Sequence, residues 1–206
     1  MAIAHKDIPE AGLHEPKGVS TAAAGTVYVA DGAGSGAWED PIPTDLVRVG
    51  WGNYHDYATG ITPQAISATT WTKLTNDALG SLTDETYLPT GVTTLWDSVN
   101  DQFDFTDLPL GSTVDLRFDI EVTTSGANQY VALRLVLGES DPSEYTLGVS
   151  DIHYKTAGTY NVVHYTGIYI GNTITKDNPG QLEIYSDATC DVVVNGFYVR
   201  VHKVNA

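Results

Sequence analysis

His153, His164 and His202 fall in runs that read as β-strands, and imidazoles on adjacent strands can ligate a metal. Strand histidines also serve at surfaces and subunit contacts, and their spacing does not select the metal. Asp101, Asp104 and Asp107 in DQFDFTD stand three apart. A calcium loop instead alternates its ligands around a central glycine, so a solvated turn is expected. Glycoside cleavage needs two carboxylates facing one bond, and acids scattered over wet strand faces nominate no pair. The glycines of DGAGSGAW (Asp31–Trp38) lack the Lys-Ser/Thr and the following helix of a phosphate-binding loop. Neither GxSxG nor HExxH occurs. The expectation is a chain with no catalytic residues, no cofactor and no metal.

Aromatic residues carry more information. WGNYHDYATG (Trp51–Gly60) sets Trp51, Tyr54 and Tyr57 in what reads as a polar, glycine-bounded loop. Rings there can stack on a sugar or anchor a protein partner, or they can plug one end of the fold. Tyr154, Tyr160, Tyr165 and Tyr169 form a second tyrosine-rich run, suited to a subunit interface. The single Cys190 excludes an intramolecular disulfide framework and reads as a small buried hydrophobe.

The elements that must position these residues are strands. In STVDLRFDIEVTT (Ser112–Thr124), Val114, Leu116, Phe118, Ile120 and Val122 alternate with Asp115, Arg117, Asp119 and Glu121. That period of two means one buried and one wet face. Gln129–Glu139 repeats it with Val131, Leu133, Leu135 and Leu137, and the short SGAN link predicts that the two strands pair as a hairpin. Phe118, Leu116, Leu133 and Leu135 are the expected core. Further strands are expected at Val47–Trp51, Thr69–Leu74, Gln102–Phe105, Ile152–Lys155, Thr159–Tyr165, Gly167–Ile170, Gln181–Ser186 and Asp191–Lys203. Asn195–Gly196 inside the last of these reads as a hairpin turn or a bulge. The one-residue shift in apolar parity across the glycine favours the bulge. No stretch keeps a helical apolar stripe for three turns. The pattern predicts an all-β protein, an antiparallel jelly-roll-like sandwich over residues 46–206.

Residues 1–45 differ in texture. They are rich in Ala, Gly and Pro and close on DPIPTD, a stiff extended connector. Such a stretch has little to bury against itself, so it reads as an extended arm. Charge points the same way in both parts: Lys6 and Lys17 stand against seven acids in the arm, and the whole chain carries a net −16. Nucleic acid and anionic membrane are disfavoured as partners, since both are gripped through Lys and Arg. The opening MAIAHKDIPEAG has no apolar core and is not expected to be a signal peptide.

HEPKG (His14–Gly18) followed by GTVYVADGAGSGAW (Gly25–Trp38) resembles the N-terminal module of virion surface proteins of tailed bacteriophages. LWDSVNDQFDFTDLPLGSTVDLRFDIEV, YKTAGTYNVVHYTGIYIGN and DNPGQLEIYSD resemble the body of the same group. The resemblance implies a homotrimer assembled in the host cytoplasm and carried on the outer capsid surface. It further implies attachment to the major capsid protein or another virion protein, with no catalysis. His14, Glu15, Pro16, Lys17, Gly18, Tyr28 and Trp38 would be the docking residues of the arm. Members of the group act as capsid decoration proteins, head fibres or tail fibres. In the last case the Trp51–Tyr57 aromatics would meet host glycan.

Overall fold

The computed structural model describes residues 22–30, 33, 36–39 and 48–204. The chain divides into two units, Met1–Leu46 and Val47–Ala206. Within the first, β1 (Val27–Ala30) and β2 (Gly36–Glu39) pair antiparallel. Tyr28 stands opposite Trp38, their rings edge-to-face at 5.5 Å. Gly36 permits this close pairing, because a Cβ there would lie 2.1 Å from the Val29 carbonyl oxygen. The remaining docking candidates, His14 to Gly18, and the DPIPTD connector lie outside the described residues.

In the second unit, β3 (Val49–His55), the one-turn helix α1 (Ala58–Ile61), β4 (Gln64–Ile66), β5 (Thr72–Lys73), β6 (Trp96–Asp97) and β7 (Gln102–Phe103) come first. Long strands follow: β8 (Thr113–Thr124), β9 (Gln129–Leu137), β10 (Tyr145–Tyr154) and β11 (Gly158–Tyr169). The short helix α2 (Thr173–Asp177), β12 (Gly180–Ser186) and β13 (Cys190–His202) complete the unit. One sheet runs β11-β8-β13-β3, with β4 also on β13; the other runs β10-β9-β12-β7-β6, with β5 also on β12. Every pairing is antiparallel. Counting β5 and β7 as one broken strand, the two four-strand layers interleave as paired Greek keys, which is a jelly roll.

The expected hairpin between Ser112–Thr124 and Gln129–Glu139 does not form. β8 lies between β11 and β13, while β9 lies in the other sheet between β10 and β12. The SGAN link is a corner that crosses the sandwich, and Gln129 fixes it from inside. Its Oε1 accepts the Ser125 and Gly126 N–H groups at 3.0 and 3.3 Å, and its Nε2 donates to Ser186 Oγ at 2.8 Å. A hairpin would have placed both apolar rows in one layer. Crossing instead sets them face to face.

That opposition builds the core. Leu116, Phe118, Ile120, Leu133 and Leu135 are all buried. Trp96, Phe103 and Phe197 converge at centroid separations of 4.8–5.7 Å, with Phe118 edge-on to Phe197 at 5.6 Å. Cys190 is buried, and burial raises its thiol pKa.

Asn195–Gly196 is a bulge. Pairing of β13 with β8 shifts register between Val194 and Gly196, and the strand continues to His202. A Cβ at Gly196 would meet the Tyr54 carbonyl oxygen at 2.9 Å, so the β3 backbone requires glycine there. Gly167 is no break: β11 runs through it unbroken, one strand where the sequence suggested two. Along β3, the outer edge is covered by the following loop, through Trp51 N–H to the Tyr87 carbonyl at 3.0 Å and Asn53 N–H to Asp84 at 2.9 Å. Covering an edge in this way removes a template for unwanted strand pairing.

Candidate functional site

The wet face of the β11-β8-β13-β3 sheet gathers side chains from four strands by register alone. One row across it reads Tyr165, Arg117, Tyr198, Asn53; the next reads Gly167, Asp115, Arg200, Trp51. Trp51 stacks between Tyr87 at 4.9 Å and Tyr198 at 5.9 Å. The Arg117 guanidinium lies 6.0 Å from the Tyr165 ring centre and pairs with Asp119 at 2.9 Å. Both partners of that ion pair are partly exposed, so its value is orientation rather than stability.

Two depressions flank this row. One, of about 310 Å³, is lined by Asn53, His55, Leu82, Asp119 and Asn195; the other, of about 500 Å³, by Asp115, Tyr165, Gly167 and Arg200. Arg117 and Tyr198 border both. The bulge contributes directly, turning Asn195 outward so that its Nδ2 reaches Asp119 at 3.4 Å.

The expected aromatic loop is not a loop, and its three rings do not converge. Trp51 and Tyr54 lie on β3 and point to opposite faces, since side chains alternate along a strand. Tyr54 is only 1% exposed and belongs to the core; Tyr57 is 58% exposed beside α1. Of the two readings weighed for these aromatics, Tyr54 takes the plug. Its hydroxyl donates to Glu85 at 2.8 Å and accepts from the Leu95 N–H at 3.0 Å. Burial and the neighbouring Glu85 carboxylate push its pKa above the ordinary phenol range. Tyr54→Phe is expected to destabilise the protein by about 1–3 kcal/mol, because the buried Leu95 N–H loses its acceptor. Thermal or denaturant unfolding measures this, and unchanged stability would contradict it.

The tyrosine run also splits. Tyr154 is buried in the core, 4.4 Å from the Tyr160 ring, and burial pushes its pKa up to about 12. Tyr160 is half-buried and donates to the Thr156 carbonyl at 2.7 Å. Alternation along β11 turns Tyr160 to the same side as the buried Val162, away from the outward face. Tyr165 and Tyr169, 72% and 71% exposed, are the members of the run that face outward.

Among the histidines, His164 points inward from β11, where burial lowers its pKa; His202 ends β13; His153 lies in the other sheet against Tyr130. They do not meet, and no group of three or more His, Cys, Asp or Glu able to hold a metal occurs among the described residues. Asp101 accepts from Asn76 N–H, Asp104 from Thr106 and Asp107 from Thr93, so all three aspartates brace turns. Sequence reasoning passed over Tyr87, Arg117, Tyr198 and Arg200. The alternation in DLRFD and FYVRVH already set Arg117, Tyr198 and Arg200 on wet faces; their meeting required the strand order.

No family model matches the chain, and no curated protein matches it. Solved structures to which the chain is similar include chains of virus particles. A chain of the IBDV viral particle aligns at a TM-score of 0.42 and 15% identity over 85% of this chain and 35% of that one. The PRD1 vertex protein aligns at 0.34 and 18%, over 76% of this chain and 96% of its own. A chain of the cowpea mosaic virus top component aligns at 0.30 and 10%, over 76% and 82%. This chain therefore spans about a third of the IBDV chain it matches.

Proposed function

We propose that this protein is a structural component of a tailed-phage virion, a decoration protein attached to the capsid surface through its N-terminal unit. The observation that carries the reading is the division of the chain. The second unit holds a jelly roll with an aromatic core, and among the described residues that core is drawn from Tyr54 to Val201. The first unit offers a hairpin of two four-residue strands, with Val27 and Val29 about two-fifths exposed. A lone two-stranded hairpin is marginal in water. Held against a shell, the same hairpin would bury further surface, and Tyr28, Trp38 and the residues His14–Gly18 would be the docking residues. The body would then form a homotrimer around the attachment point and do no chemistry.

Stabilisation follows from mass action. A ligand that binds only the assembled shell at 100 times its Kd adds about 2.7 kcal/mol per site. Particles stripped of the protein should therefore disrupt at lower temperature, and purified protein added back should restore resistance saturably. Stripped particles that are equally robust but fail to adsorb to cells would instead favour a receptor-binding fibre. The ring-flanked depressions around Tyr198 favour that second reading.

A further inference from the structure

We propose that the outer face of the β11-β8-β13-β3 sheet is a saccharide-binding groove, with two sugar subsites divided by Tyr198 and Arg117. The inference rests on the second reading above and gives it a location and a ligand class.

Four observations converge. First, Gly167 lines the larger depression and puts no side chain into it. It sits in mid-strand between Tyr165 and Tyr169 on the outward face, at a position where a β-branched or aromatic residue is the usual strand choice. Second, rings bound the space. Tyr165 forms one wall and Tyr198 the ridge, with Trp51 stacked behind Tyr198 to hold it upright. The C–H face of a pyranose packs on such rings, which combine apolar area with a polar tip.

Third, the polar groups are unused. Asp115 and Arg200 are direct cross-strand partners, yet they form no ion pair with each other. Among the described residues neither side chain makes any hydrogen bond or ion pair. A carboxylate acceptor and a guanidinium donor side by side match the paired donor and acceptor of vicinal hydroxyls, with the strength of charge-assisted bonds. Fourth, the smaller depression sets further polar groups, Asn53, Asp119 and Asn195, around the same ridge, held in place by Asn53 Nδ2 donating to the Leu82 carbonyl and by Arg117 and Asn195 donating to Asp119. Both volumes fall in the range of ligand sites, about 300–1,000 Å³. A second copy of the chain fits this face less well, because aspartate is depleted from interface centres, whereas here Asp115 and Asp119 stand in the middle.

The test uses the full-length protein with a defined panel of neutral and uronate-containing oligosaccharides, read by saturation-transfer NMR and calorimetry. At least one member should bind, with ring-proton saturation. Arg200→Ala and Tyr165→Ala, both at exposed positions, should each weaken binding at least about tenfold. Gly167→Val should abolish it while leaving the melting temperature unchanged or higher, since valine suits a strand and a Cβ there meets Asp115 Oδ1 at 3.4 Å and the Val114 carbonyl oxygen at 3.9 Å, both without a clash. Tyr185→Ala, on the outer face of the other sheet, should have no effect on binding. No binding by the full-length protein at millimolar sugar overturns the proposal, as does binding that all these variants retain. If the variants change the sedimentation coefficient while no sugar binds, the face is a contact between copies and the proposal fails. Adsorption of virions to cells is a separate readout: sugar binding lost in the variants with adsorption intact would leave the groove standing and remove only the receptor role.

Discussion

Phe118→Ala lowers the free energy of unfolding by about 3–5 kcal/mol, a large fraction of the roughly 5–15 kcal/mol that holds a domain together. Phe118 is fully buried at the middle of β8, the strand flanked by β11 and β13, and its ring meets both Phe103 and Phe197. Removing it opens a void between two sheets whose backbones are locked by pairing along their length, so the walls cannot close in. Loss of dispersion contacts then adds to the lost transfer energy. Denaturant unfolding should show a lower midpoint with an unchanged slope. Val99→Ala, at a residue 86% exposed, should change stability by no more than about 0.5 kcal/mol. A loss below about 1 kcal/mol for Phe118→Ala would mean that the aromatic cluster does not carry the core.

How much of this was legible in the sequence differs by level. Alternation alone identified the inward rows of β8 and β9, because a period of two follows from backbone geometry. Parity across Asn195–Gly196 identified the bulge for the same reason. Strand partnership was not legible. A four-residue link suits either a hairpin or a corner, and only Gln129, a buried polar residue bridging Ser125 and Ser186, decides between them. Gly167 misled as a strand break for a related reason: its role is set by Asp115 and Arg200 on other strands, not by its chain neighbours. The wet face behaved likewise. Each of its residues is readable as outward from its own strand, but the groove exists only once β11, β8, β13 and β3 are placed in order. Trp51 and Tyr54 show the opposite error, where two aromatics near glycines suggested a loop although their spacing of three sets them on opposite faces of a strand.

Deleting residues 1–46 should leave a folded body and remove particle binding. The body's core, its corner at Gln129 and its covered β3 edge all lie within residues 47–206, so the truncated protein should keep the far-ultraviolet spectrum of a β-protein and unfold cooperatively. What it loses is the hairpin that carries Tyr28 and Trp38, together with the segment before it. Co-sedimentation of full-length and truncated protein with stripped particles measures the difference directly. The account predicts saturable binding for the full chain and at least about a 100-fold weaker association for the truncated one, equivalent to ~2.7 kcal/mol. Equal binding by the two proteins would contradict attachment through the N-terminal unit.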